Sequence, residues 1–455
     1  MKKITQEFHD LYKKQFGDIA TPYDVINSMM EMLPDIIFSD PNLKWLDSGA
    51  GRGYFSIVLF ERLFEGLRST IPDDGEREEH IIKSMITMIE INDEYWEGLY
   101  AIFGEYANVV QGDYLTHFEE HTFDVIIGNP PYNSNGLKKV PTNQTENKKE
   151  DGTTMWIPFV KHSYNLLKQD GYLCYIIPSI WMKPDKANMN IFFTKMMNII
   201  KLRCFNNTET NKIFKGYAQT PTCMLLAKKE SATDIIGLYD NCHDTFIDYR
   251  IYEHVPIPVY GASIIQKLYK YTNLYGPMMK YVKKTNMPPK GIKISAEMSN
   301  EFKHMNIRSC ILVNDQPQLV INYSNEPLVY SGVEKLVCPH KMYGFPYYDK
   351  EGKYGISNRD NYVIMKEDDV CDLLHLQHFM QTKIAIFLFE CTKYRMKYLE
   401  KYIFELIPNI CECSNFPPLG SSEKDIMKYF QLSTKEQNYI ESFTKKNYEF
   451  KYKID

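Results

Sequence analysis

From about residue 40 the chain alternates short continuous apolar runs with segments whose apolar residues recur every three or four positions. LKWLD, ITMIEI, NVVQGD, DVIIGN and YLCYIIP have strand length and are bounded by polar, Gly or Pro punctuation, as buried strands are. YFSIVLFERLFEGL and WIPFVKHSYNLL lie between them at helical spacing. Strands separated by helices form βαβ units, so residues 1–235 are expected to fold as an α/β domain built on a doubly wound, mostly parallel, Rossmann-like sheet. A charged insertion, RSTIPDDGEREEH, separates the first helix from the second strand. A long polar loop, NSNGLKKVPTNQTENKKEDGTT, follows the fourth. A structureless loop of that length is unusual inside a compact domain unless it serves function or is disordered.

The clean alternation stops after CMLLAKKE. Beyond it, strand-like pieces (QLVINY, LVYSG, YVIMK) mix with Pro/Gly turns and give way to helices rich in Lys, Tyr and Glu. This predicts a second, mixed α+β domain over 236–455, reached through a linker between 230 and 260.

Composition changes the picture in three places. The 53 basic and 58 acidic residues leave a net charge of −5, which gives no global attraction to a polyanion; a nucleic-acid surface must be a local basic patch. The ten cysteines have no regular spacing and suit reduced thiols better than a disulfide framework. Neither Cys411 with Cys413 nor Cys242 beside His243 has a second pair at zinc-ligand spacing, so no metal site is expected. The start, MKKITQEFHD, has no apolar core of a secretory signal, and no apolar run approaches the ~20 residues of a membrane-spanning helix. The expected location is therefore the cytoplasm, including a nucleoid or viral factory, with no membrane partner.

Candidate chemistry collects at the strand ends. The first strand ends at Asp47 and runs through Ser48-Gly49-Ala50-Gly51-Arg52-Gly53 straight into a helix. Glycines there permit a sharp turn and close approach of a ligand, and the G-x-G-x-G spacing departs from the G-x-G-x-x-G of dinucleotide folds. Glu90 ends the second strand, where a carboxylate can accept from a ribose diol, and Asp113 follows the third, placed to accept from an adenine amine. The fourth strand runs into Asn129-Pro130-Pro131-Tyr132. The Asn129 amide oxygen and the Pro130 carbonyl are two acceptors able to grip both hydrogens of an amino group, and Tyr132 could stack on the ring that carries it.

With D-S-G-A-G-R-G preceding N-P-P-Y, the chain resembles the N6-adenine DNA methyltransferases in their gamma arrangement, a group that also contains type IIG restriction-modification enzymes. The resemblance covers roughly residues 15–230. It implies S-adenosylmethionine as cofactor, with Asp47, Gly49 and Gly51 at its methionine end, Glu90 at its ribose and Asp113 at its adenine. Thr21-Pro22 is similar to the family's segment that closes over the methionine part. Phe214, after Lys212-Ile213, resembles the aromatic that forms the second face around a flipped adenine, with Tyr217 in reserve. In carrying Ser-Gly-Ala after Asp47, the loop departs from relatives that have Phe nearby.

Downstream, Lys280, Lys283, Lys284, Lys290 and Lys293 cluster in KYVKKTNMPPKGIK and could follow a phosphate backbone; Lys393, Arg395, Lys397 and Lys401 form a second basic group. HKMYGFPYYDKEGKYGISNRDNY resembles a target-recognition region. The implied partner is double-stranded DNA, met by a monomer. Only about 40 residues precede the first strand, fewer than a nuclease domain needs, so cleavage would fall to a separate restriction endonuclease. An RNA adenine would be gripped identically. A protein glutamine amide would also fit Asn-Pro-Pro-Tyr, although enzymes of that kind have a short C-terminus.

Overall fold

The computed structural model describes residues 20–133, 154–216, 218, 220–313, 316–340, 346–366, 372–394 and 399–443. The long polar loop after Asn133, Tyr217, Arg395, Lys397 and the 341–345 part of the Tyr/Gly-rich segment lie outside them. The chain divides into two compact units: residues 1–181 with 185–239, and residues 182–184 with 240–455.

In the first unit, strands β1 (Trp45–Asp47), β2 (Ile86–Glu90), β3 (Val109–Gln111), β4 (Phe123–Gly128), β5 (Leu167–Pro178), β6 (Asn198–Phe205), β7 (Thr222–Lys228) and β8 (Ile235–Asp240) lie in the order β3-β2-β1-β4-β5-β7-β6-β8. Pairing is parallel from β3 through to β5, with Trp45 opposite both Ile86 and Val125. β7 runs antiparallel to β5 and β6. The expected mostly parallel sheet is present, and all five strands read from the apolar runs are in it. β1 and β2 are buried along their whole length, which is why they carry continuous apolar runs instead of alternation. Because β1 to β4 are parallel, their carboxyl ends fall on one edge.

The helices hold that edge in place. Helix α1 (Tyr23–Met30) buries Val25, Ile26, Met29 and Met30, and Pro22 at its N-cap accepts from the Val25 and Ile26 amides. Helix α2 (Tyr54–Gly66) follows the glycine loop, with Gly53 at φ 80° as its left-handed cap; a Cβ there would meet Leu99 Cδ2 at 3.0 Å. The charged insertion forms helix α3 (Asp74–His80), capped by Asp73, and its Arg77 is fully buried, donating to the Ile71 and Pro72 carbonyls and to Asp74 under the Phe64 ring. Helices α4 (Trp96–Phe103), α5 (Trp156–Leu166) and α6 (Asn207–Ile213) complete the connections.

The division between the two units, at 239/240, falls inside the 230–260 stretch where the linker was expected, and that stretch carries ordered strands: Ile236, Leu238 and Asp240 are buried alternately along β8, which pairs parallel with β6. β9 (Thr245–Arg250) follows within the same stretch. LVYSG is a turn, not a strand. Tyr330 and Gly332 take φ of 70° and 78°, and the Ser331 amide returns to the Leu328 carbonyl, so the chain reverses after the buried Leu328 and leaves Val329 exposed.

The second unit contains two four-stranded sheets. One has the order β10-β17-β14-β15, from β10 (Lys283–Lys284), β14 (Lys335–Pro339), β15 (Tyr347–Asp349) and β17 (Asn361–Met365); the other is β11-β13-β12-β16, from β11 (Ile294–Ser295), β12 (His304–Val313), β13 (Gln316–Ser324) and β16 (Gly355–Ile356). Ile307, Val337, Tyr354, Ile356 and Val363 form a core that both sheets share. QLVINY and YVIMK supply β13 and β17. Helix α7 (Ala262–Tyr275) and the helices α8 (Leu373–Gln381), α9 (Lys383–Cys391), α10 (Glu423–Tyr429) and α11 (Thr434–Phe443) account for the helical remainder. Eight described cysteines are buried free thiols, whereas Cys411 is disulfide-bonded, a departure from the reduced set expected. No helix among the described residues is long and apolar enough to cross a membrane.

Candidate active site

The glycine loop is sewn to both neighbouring strands. The Ser48 amide donates to the Ile127 carbonyl on β4 at 3.1 Å, and the Ala50 amide to the Ile89 carbonyl on β2 at 2.9 Å. This brings the end of β4 so close that only glycine fits there: a Cβ on Gly128, which sits at φ 149°, would lie 2.7 Å from Ser48 Oγ. The glycine loop and the end of β4, which leads into Asn-Pro-Pro-Tyr, therefore touch through their backbones. Beneath them, Tyr175, opposite Gly128 on β5, is hydrogen-bonded through Ser163 (2.8 Å) to Tyr114 (2.7 Å), a buried hydroxyl chain that stiffens the floor.

Asp47 is fully buried. Its Oδ2 accepts from Ser56 Oγ at 2.8 Å, and its Oδ1 has no partner at hydrogen-bond geometry. Burial lifts its carboxyl to about 7, only partly opposed by the Ser56 hydroxyl and by backbone amides, with the negative Glu90 adding to the rise. Glu90 is fixed by two amides: Gly51 N–H donates to Oε2 at 2.6 Å and Asn92 N–H to Oε1 at 2.8 Å. Asp113 is exposed at the end of β3 and caps the turn that follows by accepting from the Leu115 amide at 3.0 Å. A Cβ on Gly49 would meet nothing within 4 Å, so the loop borders open space.

Asn129 donates from Nδ2 to Thr21 Oγ1 at 3.1 Å, and its Oδ1 is buried with no partner. The Tyr132 hydroxyl is likewise buried and unpartnered, and burial pushes it well above the usual phenol range. The Tyr132 carbonyl accepts from the Met155 amide at 3.0 Å, which fixes the main chain beyond the two prolines. Phe214 sits just past the C-terminus of α6 and is 2% exposed, so a base could reach its face only after that ring is uncovered.

The structure thus gathers Asp47, Gly49, Gly51, Glu90, Thr21, Asn129, Pro130 and Tyr132 at one sheet edge, with Asp113 on the neighbouring strand end. Three features escaped the sequence reading. The Thr21–Asn129 bond joins residues 108 apart. Ser56, on the first turn of α2, holds Asp47. Arg52 keeps all its guanidinium nitrogens buried without a hydrogen bond, over the Tyr95 ring at 5.6 Å. Only the i, i+9 spacing of Asp47 and Ser56 across a strand-to-helix turn is a signal that could have been read.

S-adenosylmethionine fits these groups. Asp47 is a buried carboxylate whose Oδ1 has no hydrogen-bond partner, at the end of β1 where the chain turns into the open space over Gly49. A buried acidic acceptor of this kind suits a ligand that carries positive charge and N–H donors.

An elevated Asp47 gives a pH signature. Its folded pKa of about 7 lies above the ordinary value of 3.8, so between those limits the unfolded chain has already lost the proton that the folded chain keeps. Stability falls as pH rises through that window, by at most ~1.4 kcal/mol per pH unit. Asp47→Asn, which does not titrate, is expected to gain stability over the native protein progressively from pH 4 to pH 7 and then hold a constant lead. Urea midpoints at pH 4.5, 6 and 8 measure this, and a gap independent of pH would exclude it.

In the second unit, Lys280, Lys284, Lys290 and Lys293 are exposed and Lys283 is half-buried. Lys293 pairs with Glu301 at 3.4 Å, Lys280 lies over the Tyr281 ring, and Lys283 and Lys284 form the edge strand β10. Lys393 pairs with Glu390 at 3.0 Å. Asp240, Cys242 and His243 are the one grouping of three possible metal ligands among the described residues. There the His243 ring nitrogen is taken by the Asp240 carboxylate at 2.6 Å, and burial raises the Cys242 thiol to about 11.

The first unit is thus a mostly parallel sheet with β7 reversed between β5 and β6 and a glycine loop following Asp47 at the end of β1. Residues 55–214 match the family model described as Eco57I restriction-modification methylase. Over 342 residues the chain is 24% identical to the type II methyltransferase M.AccI of Acinetobacter calcoaceticus, covering 68% of this chain and 57% of that protein. Over 145 residues it is 30% identical to the type II restriction enzyme and methyltransferase RM.Eco57I of Escherichia coli, covering 30% of this chain and 13% of that one. Among solved structures, the type IIL restriction-modification enzyme MmeI in complex with DNA aligns with a TM-score of 0.47 and 11% identity, covering 94% of this chain and 76% of that one. The resemblance to restriction-modification methyltransferases is shown by the family and sequence matches. The chain spans less than two thirds of either curated relative.

Proposed function

We propose that this protein transfers the methyl group of S-adenosylmethionine to N6 of an adenine rotated out of double-stranded DNA. The observation that carries the proposal is Asn129: a buried carbonyl oxygen without a donor, at the tip of β4, beside the glycine loop. When bound there, S-adenosylmethionine supplies an electrophilic methyl on a sulfonium. Asp47, Gly49 and Gly51 hold its methionine end, Glu90 its ribose and Asp113 its adenine, with Thr21-Pro22 closing over it.

Asn129 Oδ1 and the Pro130 carbonyl accept the two hydrogens of the target amine. That grip draws nitrogen toward tetrahedral geometry, frees its lone pair and fixes its line of approach. Tyr132 stacks on the purine, and Phe214, once uncovered, covers the other face; such contacts are worth on the order of 1–3 kcal/mol per base and offset part of the cost of extrusion. Positive charge builds on nitrogen as the bond forms, and the two acceptors stabilise it until the proton departs. Asp47, charged above its elevated pKa, balances the cationic cofactor.

The deciding experiment incubates the protein with methyl-labelled S-adenosylmethionine and, in parallel, duplex DNA, structured RNA and whole-cell protein. Label is expected in DNA alone and, after digestion, in N6-methyldeoxyadenosine. Label in RNA, in glutamine or in cytosine would assign a different substrate.

Lys280, Lys284 and Lys290, exposed in the second unit, are proposed to bind phosphates. Replacing all three with Ala should flatten the dependence of log affinity for DNA on log salt by about 0.9 for each phosphate no longer neutralised, with S-adenosylmethionine affinity unchanged. An unaltered slope would place the DNA elsewhere.

A further inference from the structure

We propose that Thr21 is a positioning residue for catalysis: its hydroxyl oxygen accepts from the Asn129 amide nitrogen and thereby turns the amide oxygen toward the target amine. The inference rests on the methyl-transfer reading and adds to it a role for Thr21 distinct from cofactor binding.

A terminal amide presents a donor end and an acceptor end, and only one rotamer serves a substrate that brings two N–H donors. With Asn129 Oδ1 facing that substrate, Nδ2 points the other way into buried surroundings. An unpaired amide nitrogen there would carry the desolvation cost of a buried donor and favour rotation out of the productive state. Thr21 Oγ1, on a residue only 4% exposed, is the acceptor at 3.1 Å that removes this cost. Its place is set independently of Asn129, because Pro22 caps α1 and the buried face of α1 anchors the segment. Nothing else among the described residues bonds the Asn129 side chain, and its Oδ1 is left as the open acceptor.

The test compares Thr21→Val, which keeps the shape and removes the hydroxyl, with Thr21→Ser, which keeps it. Methyl transfer to duplex DNA is measured under single-turnover conditions over a range of S-adenosylmethionine concentrations, and cofactor affinity is measured separately by calorimetry. Thr21→Val should lower the rate at saturating cofactor at least tenfold, and Thr21→Ser should restore it to within about threefold of the native rate. A full rate for Thr21→Val at saturation, with only the cofactor affinity reduced, would overturn the positioning role, as would failure of Thr21→Ser to recover while it binds cofactor normally. If the native protein does not methylate adenine in DNA, the functional reading itself fails, an outcome read from the native protein alone.

Discussion

Asn129→Ala is expected to reduce methyl transfer on the order of 10³-fold while S-adenosylmethionine affinity stays within about threefold. The two effects separate because Asp47 and Glu90, the acids proposed to hold the cofactor's methionine end and ribose, are on other strands. Asp47 is locked by Ser56, and Glu90 by the Gly51 and Asn92 amides, and none of these bonds involves Asn129. The substitution also disturbs little of the native structure: it removes one hydrogen bond to Thr21, together with an Asn129 Oδ1 that had no partner. What goes is the acceptor on which the reacting amine depends. Calorimetric titration with S-adenosylmethionine and single-turnover transfer to duplex DNA measure the two quantities. Equal loss in both would make Asn129 part of the cofactor pocket and not of the chemistry.

Much of the candidate site was legible because a site built at the end of a parallel sheet writes itself into contiguous words. Each strand is a short apolar run, and the residue that ends it is the one placed on the working edge, so Asp47, Glu90, Asp113 and Asn129 could be read by position along the chain. What joins those words was not legible. The Thr21–Asn129 bond spans 108 residues and depends on how α1 packs, which no local pattern encodes. Gly128 reads as an ordinary end of an apolar strand; its necessity comes from Ser48, which the loop after β1 carries to within 2.7 Å of where a Cβ would stand. Phe214 shows the opposite limit. Its place after Lys212-Ile213 marks a motif, yet its ring is buried in this conformation, and burial is a property of packing.

The end of the first unit and much of the second were read less well for a related reason. β8, the last strand of the first unit, alternates only weakly in sequence, because Asp240 stands where an apolar residue would reveal a strand and is nevertheless buried. LVYSG shows the converse: an apolar word that closes a turn because Gly332 takes a left-handed conformation and Val329 has nothing to cover it. Short strands offer few residues to form a pattern, and whether they pair is decided by cross-strand and same-face neighbours more than by local preference.

A buried ion pair in that unit should produce the largest stability effect in the chain. Lys335→Met is expected to destabilise the second unit by about 3–5 kcal/mol. Lys335, fully buried on β14, faces Asp349 on β15 in register, and their charged atoms are 2.5 Å apart. Asp349 also accepts from the Lys353 and Tyr354 amides, so it closes the turn that leads to β16. Burial lowers the Lys335 pKa, opposed by the carboxylate, which marks the charge as held in place by its partner. Removing the ammonium strands a carboxylate away from water, and that stranded charge carries most of the cost. The double variant Lys335→Met with Asp349→Asn removes it and retains an acceptor for the turn, so its stability should fall between the native protein and Lys335→Met. All four tryptophans, at 45, 96, 156 and 181, belong to the first unit, so their fluorescence follows that unit alone in urea while hydrogen exchange over 335–339 and 361–365 follows the second. Faster exchange in those strands with an unchanged tryptophan transition is the expected result. Equal exchange in the single and double variants would show that poorer packing, not the orphaned carboxylate, is the cause.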